Sequence, residues 1–136
     1  MLLQVTLQQA TTAKRVLVVD DNRDMVETFL ALLEFSGHKG LGRNSAVDIV
    51  ACVEEFDPDV VVMDLAMPVK DGLAAAREIR AAAPGNRPLL IACTGERFDD
   101  DGKTIAKKHG FNFYLKKPCD TKVLLALIAN APGRPA

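Results

Sequence analysis

The sequence predicts an α/β fold in which a parallel sheet of five strands carries helices on both faces. Short Val-, Leu- and Ile-rich runs alternate along the chain with segments of helical period, which is the pattern of repeated βα units. Three of these runs are almost wholly apolar, as strands buried on both sides require. The 136 residues fit one domain, and the 49% hydrophobic fraction is enough to fill its core.

The strands differ in how strongly the sequence indicates them. Central strands are expected at 15–19, 60–63 and 89–93, where the apolar residues run without a break. Weaker runs at 38–41, interrupted by Gly40, and at 113–115 are expected at or near the edges of the sheet.

Five helices are expected at 25–35, 45–55, 73–82, 100–109 and 121–131. The first and the fourth end at glycines, which are typical C-terminal caps. Ser45 is expected to cap the second helix, and Val47, Val50 and Ala51 are expected to form its apolar stripe. The domain is therefore expected over residues 14–131, between an N-terminal extension at 1–13 and a tail at 132–136.

Composition and charge exclude several classes of protein. With 17 basic and 18 acidic residues the net charge is −1, so no overall field attracts nucleic acid or an anionic membrane. There is no basic, apolar export signal and no run of about 18 apolar residues, which favours a cytoplasmic location. Cys52, Cys93 and Cys119 form neither a CxxC pair nor an even set, so no disulfide framework or zinc ribbon is expected.

Polar side chains follow four of the five strands. Asp20 and Asp21 follow the first strand, Asp64 the third, Thr94 the fourth and Lys117 the fifth, and loops after parallel strands meet at one edge of the sheet. Three neighbouring carboxylates repel unless a cation lies among them, and Mg²⁺ needs only one or two carboxylates plus phosphate oxygens. An aspartate can attack phosphorus while a hydroxyl and an ammonium hold the remaining oxygens. These groups predict aspartyl phosphate formation.

The segments that carry these residues resemble the receiver domain of two-component response regulators. They are 18–22 (VVDDN), 63–68 (MDLAMP), 71–72 (DG), 94–95 (TG) and 114–118 (YLKKP), in the family's order within residues 14–130. The resemblance implies a flavodoxin-like, doubly wound (βα)5 fold with strand order 2-1-3-4-5. It also implies a signalling phosphoacceptor whose only catalysis is its own phosphorylation and autodephosphorylation, rather than an enzyme.

The resemblance implies a role for each residue of the motif. Asp64 would be the phosphoacceptor. Asp21 would bind Mg²⁺ directly and Asp20 largely through water, and the backbone carbonyl of Ala66 would be the remaining protein ligand of the ion. Ala66 stands where many relatives carry a polar side chain that can reach an attacking water.

The remaining motif residues would act on the phosphoryl group and on the change of shape. Lys117 matches the family's phosphate-contacting lysine, Thr94 the hydroxyl that turns inward, and Tyr114 the aromatic switch on the face built by the fourth helix, fifth strand and fifth helix. The implied donor is a histidine kinase or a histidine phosphotransfer protein that contacts the first helix, where Met25 and Val26 are expected to be exposed.

The resemblance also implies a downstream protein target and a monomer or weak dimer. No direct contact with nucleic acid or membrane is expected. An asparagine directly after the acidic pair, as at Asn22, resembles the pattern of receivers attached to hybrid histidine kinases. The chain is therefore expected to be either a stand-alone receiver or one excised from such a kinase.

Each residue also has a simpler interpretation. Asp20 and Asp21 could cap the first helix, Lys117 could extend into solvent, Thr94 could be an ordinary strand residue and Tyr114 could serve packing alone.

Other functions remain open as well. A docking-only pseudo-receiver would usually have lost an acidic position or the lysine. A haloacid-dehalogenase-like phosphohydrolase would carry DxD after the first strand, where this chain has Asn22 at the third position. Nucleotide binding is disfavoured because no glycine-rich phosphate loop follows that strand.

Overall fold

The computed structural model describes residues 13–83, 87–95 and 100–133. Within them it forms a five-stranded parallel sheet of order β2-β1-β3-β4-β5, which confirms the flavodoxin-like topology. The strands are β1 (Arg15–Val19), β2 (Lys39–Arg43), β3 (Val60–Met63), β4 (Leu89–Thr94) and β5 (Phe113–Lys116). The expected extension, apart from residue 13, and the last three residues of the tail lie outside the described residues.

The helices are α1 (Arg23–Phe35), α2 (Ile49–Phe56), α3 (Gly72–Ala82), α4 (Asp100–Lys108) and α5 (Thr121–Ala129). Gly37 and Gly110 follow α1 and α4 with φ of 89° and 108°, a conformation that glycine adopts without strain. Among the described residues, no helix is both long enough and apolar enough to cross a membrane.

The central strands supply alternate residues to two cores, one on each face of the sheet. The first core cluster packs against α2, α3 and α4 and consists of Leu17, Val19, Ala46, Ile49, Cys52, Val53, Phe56, Val61, Met63, Met67, Ala75, Ala76, Ile79, Leu90, Ala92, Ala106 and Phe111. The second core cluster packs against α1 and α5 and consists of Val16, Val18, Val26, Phe29, Leu33, Val60, Val62, Ile91, Cys93, Leu124, Ile128 and Ala131. Because β1, β3 and β4 are buried on both sides, side chains at their ends are held by a rigid frame.

The second helix begins later than the sequence predicts. Asp48, at φ 60°, precedes its first residue, whereas the Ser45 hydroxyl accepts a hydrogen bond from Val47 N at 3.1 Å in a turn before the helix. That turn buries Ala46 completely, which rotates the following residues and leaves Val47 half exposed. The predicted stripe was therefore wrong, and the buried face is Ile49, Cys52, Val53 and Phe56.

The expectation that the cysteines form no disulfide was also wrong. Cys93 and Cys119 are joined in a disulfide with their Cα atoms 6.6 Å apart, while Cys52 is free and buried. The bonded pair is separated by 26 residues, but the pairing of β4 with β5 brings the two segments together. An odd cysteine count carries no information about that proximity.

Candidate functional site

The candidate site lies where β1, β3 and β5 end. The amide of Asp64 donates to Val19 O at 3.1 Å, and the side chain of Asn44 donates to Asp20 O at 3.1 Å, so the loops after β1 and β3 are fixed to each other and to β2. One carboxylate oxygen from each of Asp20, Asp21 and Asp64 lies within 4.8 Å of the other two. The sequence-predicted acidic cluster is thus assembled.

Lys117 lies against two of these three carboxylates. Its Nζ is 2.7 Å from Asp20 Oδ2 and 3.1 Å from Asp64 Oδ2. Burial by itself lowers the pKa of Lys117, but the adjacent carboxylates of Asp20 and Asp64 outweigh it and raise the pKa above its ordinary value. The side chain is therefore a fixed cation inside the site. Lys116, its neighbour, is exposed, as strand alternation predicts.

The carboxylate oxygens of the acidic cluster do not all have hydrogen-bond donors among the described residues. Asp20 is 1% exposed, and among the described residues its Oδ2 has only the lysine ion pair and no hydrogen bond of good geometry. Asp21 is exposed, so the cluster opens to solvent on that side. A buried carboxylate oxygen with spare acceptor capacity beside two further carboxylates is a donor set suited to a hard divalent cation such as Mg²⁺.

Asn22 takes the helix-capping role that Asp20 and Asp21 could have filled. Its side-chain oxygen accepts from Met25 N at 3.1 Å, and its own amide donates to Asp20 Oδ1 at 2.9 Å. The simpler interpretation of the acidic pair as the helix cap was therefore wrong. Val26, expected to be exposed for a partner, is 4% exposed and belongs to the second core cluster, while Met25 is half-buried.

The loop after β3 holds the Asp64 side chain. Asp64 Oδ1 accepts from Ala66 N at 3.2 Å, and Gly72 N donates to Leu65 O at 2.9 Å, which places the start of α3 directly on this loop. A Cβ on Gly72 would overlap the carbonyl oxygen of Asp64 and lie 2.9 Å from Leu65 Cα. The φ of Gly72 is not in the left-handed region, so glycine is needed here for the close backbone approach and not for a turn.

Thr94 and Tyr114 lie on the two strands beside the acidic cluster. Thr94 is the last residue of β4, fully buried, and its carbonyl accepts from Lys117 N at 2.9 Å. The Lys117–Pro118 peptide bond is cis. Tyr114 is half-buried on β5, packs against the first core cluster and lines a cleft of about 310 Å³ between α4 and β5.

The comparisons with known proteins agree with this geometry. The response regulator receiver domain model matches residues 16–129. The chain is 36% identical to protein PilH of Pseudomonas aeruginosa over 115 residues, covering 84% of this chain and 93% of PilH. It is 35% identical to the chemotaxis protein CheY of Halobacterium salinarum, covering 78% and 86%. It is also 36% identical to the CAI-1 autoinducer sensor kinase/phosphatase CqsS of Vibrio cholerae, of which it spans 18%.

Solved structures show the same fold. The chemotaxis protein CheY4 of Vibrio cholerae superposes with a TM-score of 0.80 at 21% identity, covering 89% of this chain and all of CheY4. A response regulator receiver domain protein from Clostridium thermocellum superposes with a TM-score of 0.77 at 31% identity, covering 88% and 93%. The matched segment contains the acidic cluster and the lysine, and the chain belongs to the family of response regulator receiver domains.

Proposed function

We propose that the chain is the phosphoaccepting receiver of a two-component phosphorelay, with Asp64 as the acceptor. The observation that carries the proposal is the contact of Lys117 with both Asp20 and Asp64 at the ends of three strands. A buried carboxylate held beside a fixed cation and two further carboxylates suits transfer of a dianionic group to an oxygen nucleophile.

In the proposed reaction, an oxygen of Asp64 attacks the phosphorus of a phosphohistidine. The new O–P bond forms as the N–P bond breaks, and the released imidazole nitrogen takes up a proton. Asp20, Asp21, Asp64 and the carbonyl of Ala66 are the groups that would hold Mg²⁺, which supplies neutralisation of the negative charge on the transferring group. Lys117 is already within ion-pair distance of Asp64, so it can follow the new phosphoryl oxygens with little movement.

The phosphoryl group would then bias the conformation of the domain. It offers oxygens to Lys117 and Thr94 that only the modified state presents, and a contact present in one state alone shifts a two-state equilibrium. Tyr114 would respond by reorienting on the face formed by α4, β5 and α5. A Tyr114→Ala variant is expected to keep phosphorylation but lose target binding, and unchanged binding would contradict the switch role.

The proposed partners are a histidine kinase or a histidine phosphotransfer protein as donor and a downstream protein as target. The likeness to part of CqsS, whose name describes a sensor kinase/phosphatase, supports a kinase connection. The acyl phosphate would later hydrolyse within the domain. A monomeric or weakly dimeric state and a cytoplasmic location stay predictions.

The test is intact mass after incubation with acetyl phosphate and Mg²⁺. We expect the wild type to gain one phosphoryl group, and the gain to vanish in Asp64→Asn and when the metal is chelated. Asp48→Asn is the matched control, because this exposed aspartate at φ 60° lies outside the acidic cluster and asparagine tolerates that conformation. Labelling of Asp64→Asn equal to the wild type would overturn the assignment.

Two other outcomes would identify rival functions. A wild type that binds Mg²⁺ but takes no label from acetyl phosphate or from phosphohistidine donors would be a docking-only pseudo-receiver. Continuous release of phosphate from added phosphoesters would indicate a haloacid-dehalogenase-like phosphohydrolase.

A further inference from the structure

The Cys93–Cys119 disulfide lies directly behind the candidate site. Cys93 immediately precedes Thr94 on β4, and Cys119 is two residues after Lys117 in the loop that leads to α5. The same two segments are also tied by the hydrogen bond from Lys117 N to Thr94 O. The disulfide is therefore a covalent connection, added to the pairing of β4 with β5, between the backbone that carries Thr94 and the backbone that carries Lys117.

The disulfide can be reached from a groove between α1 and α5. This groove, of about 670 Å³, is lined by Met25, Phe29, Leu32 and Leu124 and by both cysteines. Cys93 is 4% exposed within the second core cluster, whereas Cys119 is half-buried at the surface. Thiol exchange requires access to one sulfur only, and because Cys119 is the more exposed residue of the pair, we expect an incoming thiolate to attack its Sγ.

We propose that Cys93 and Cys119 form a reversible redox site, opened by dithiol reductants through this groove, whose state sets how firmly Lys117 is held against Asp20 and Asp64. One thiolate of the reductant attacks Cys119 Sγ, the bond to Cys93 Sγ breaks, and the Cys93 thiolate takes up a proton. The second thiolate then displaces Cys119 as a thiolate, which also takes up a proton. Two electrons and two protons pass to the protein, and the reductant becomes a cyclic disulfide.

Reduction removes the covalent connection and leaves the hydrogen bond from Lys117 N to Thr94 O and the pairing of β4 with β5. The oxidised form therefore holds Lys117 in place for phosphoryl transfer, whereas the reduced form lets it move away from the carboxylates. Because Lys117 competes with a metal ion for those oxygens, the reduced form should bind Mg²⁺ more tightly while accepting a phosphoryl group more slowly. The second of these effects rests on the proposed function, and the first does not.

The chemical part is tested by equilibrating the native protein with mixtures of oxidised and reduced dithiothreitol. Samples are quenched with acid and alkylated in denaturant, and the mass of the intact protein is then measured by mass spectrometry. With 3 cysteines in the chain, the fully reduced protein should carry an alkyl group on each, and the oxidised protein only on Cys52. Alkylation of every cysteine at all ratios would overturn the proposal, and so would reduction that occurs only after unfolding.

The coupling is tested by Mg²⁺ titration and by acetyl phosphate labelling in each redox state. We expect the reduced form to bind Mg²⁺ about fivefold more tightly and to be labelled about fivefold more slowly, at the lower end of ordinary coupling between sites. Cys119→Ser and Cys93→Ala should both behave like the reduced wild type under oxidising conditions. Cys52→Ala, which alters the free cysteine, should keep the full redox response.

Equal Mg²⁺ affinity in the two redox states would overturn the coupling even if the thiol exchange occurs. No label in either state from acetyl phosphate or from phosphohistidine donors, with the difference in Mg²⁺ affinity intact, would contradict the proposed function and leave the redox site standing.

Discussion

Lys117 is held by two carboxylates that would otherwise repel each other. In Lys117→Gln both Asp20 and Asp64 lose their cation, so without metal the free energy of unfolding should fall by about 1–3 kcal/mol. Saturating Mg²⁺ should stabilise the variant more than the wild type, because the ion meets no competing ammonium there. Urea unfolding with and without Mg²⁺ measures both effects.

Lys116→Gln is the matched control, since its exposed side chain should change stability by less than about 0.5 kcal/mol. Because the carboxylates raise the pKa of Lys117, its stabilising contribution is complete below the ordinary lysine pKa and is lost as the pH rises through the higher value of the folded protein. The difference between wild type and Lys117→Gln should therefore shrink in strongly alkaline solution. An identical Mg²⁺ response in both proteins would contradict this account of the site.

Val69 is in a strained conformation in the loop between β3 and α3. Its φ is 71°, which a β-branched residue rarely adopts, and 93% of its surface is exposed, so the side chain contributes little packing. Val69→Gly should raise the free energy of unfolding by about 1 kcal/mol, because relief of strain exceeds the entropic cost of glycine. Val47→Gly, at a half-exposed valine outside the positive-φ residues, should instead destabilise the protein. A loss of stability in Val69→Gly would show that the loop carries no such strain.

The junction of α3 with the β3 loop depends on a close backbone approach. Gly72→Ala would place a methyl group on the carbonyl of Asp64, so the loop must shift and move the Asp64 carboxylate with it. We expect Mg²⁺ affinity to fall about tenfold or more, since a small displacement of a positioned group costs much of its function. Gly95→Ala is the control, because among the described residues its added Cβ would come within 4 Å of Lys117 Cβ alone, at an ordinary contact distance of 3.8 Å. Unchanged Mg²⁺ binding in Gly72→Ala would refute the role assigned to this glycine.

The elements differ in how far the sequence could predict them. The predicted ends of β1 and β3 are correct, because a strand buried on both faces is an almost unbroken run of apolar residues. The start of α2 could not be predicted, because the burial of Ala46 in the preceding turn is decided by tertiary packing. The acidic cluster followed from the rule that parallel strand ends meet at one edge. The disulfide and the crowding at Gly72 depend on distances between segments, which local patterns do not contain.

The molecule as a whole has two cores that share one sheet. Ile79 on α3 belongs to the first core cluster and Ile128 on α5 to the second, and both side chains are almost completely buried. Removing one methyl group from either, as Ile79→Val or Ile128→Val, should lower the free energy of unfolding by about 0.5–1.5 kcal/mol. Because the two sites lie on opposite faces, the effects should add in the double variant to within about 0.5 kcal/mol. Ile105→Val, at a half-buried position on α4, should have a smaller effect.

A substitution in one core cluster should also change the unfolding transition of the other core cluster. Tyr114 is the sole tyrosine in a chain without tryptophan, and it packs against the first core cluster, so its fluorescence reports on that face. Residues of β1, β3 and β4 alternate between the two core clusters. Because both clusters depend on the same three strands, neither should unfold while the other stays folded. Ile128→Val, on the far face, should therefore shift the Tyr114 transition in urea by as much as it shifts the far-ultraviolet circular dichroism transition. A shift seen in circular dichroism alone would mean that the two faces unfold separately, and that a change at the acidic cluster need not be transmitted from one face to the other.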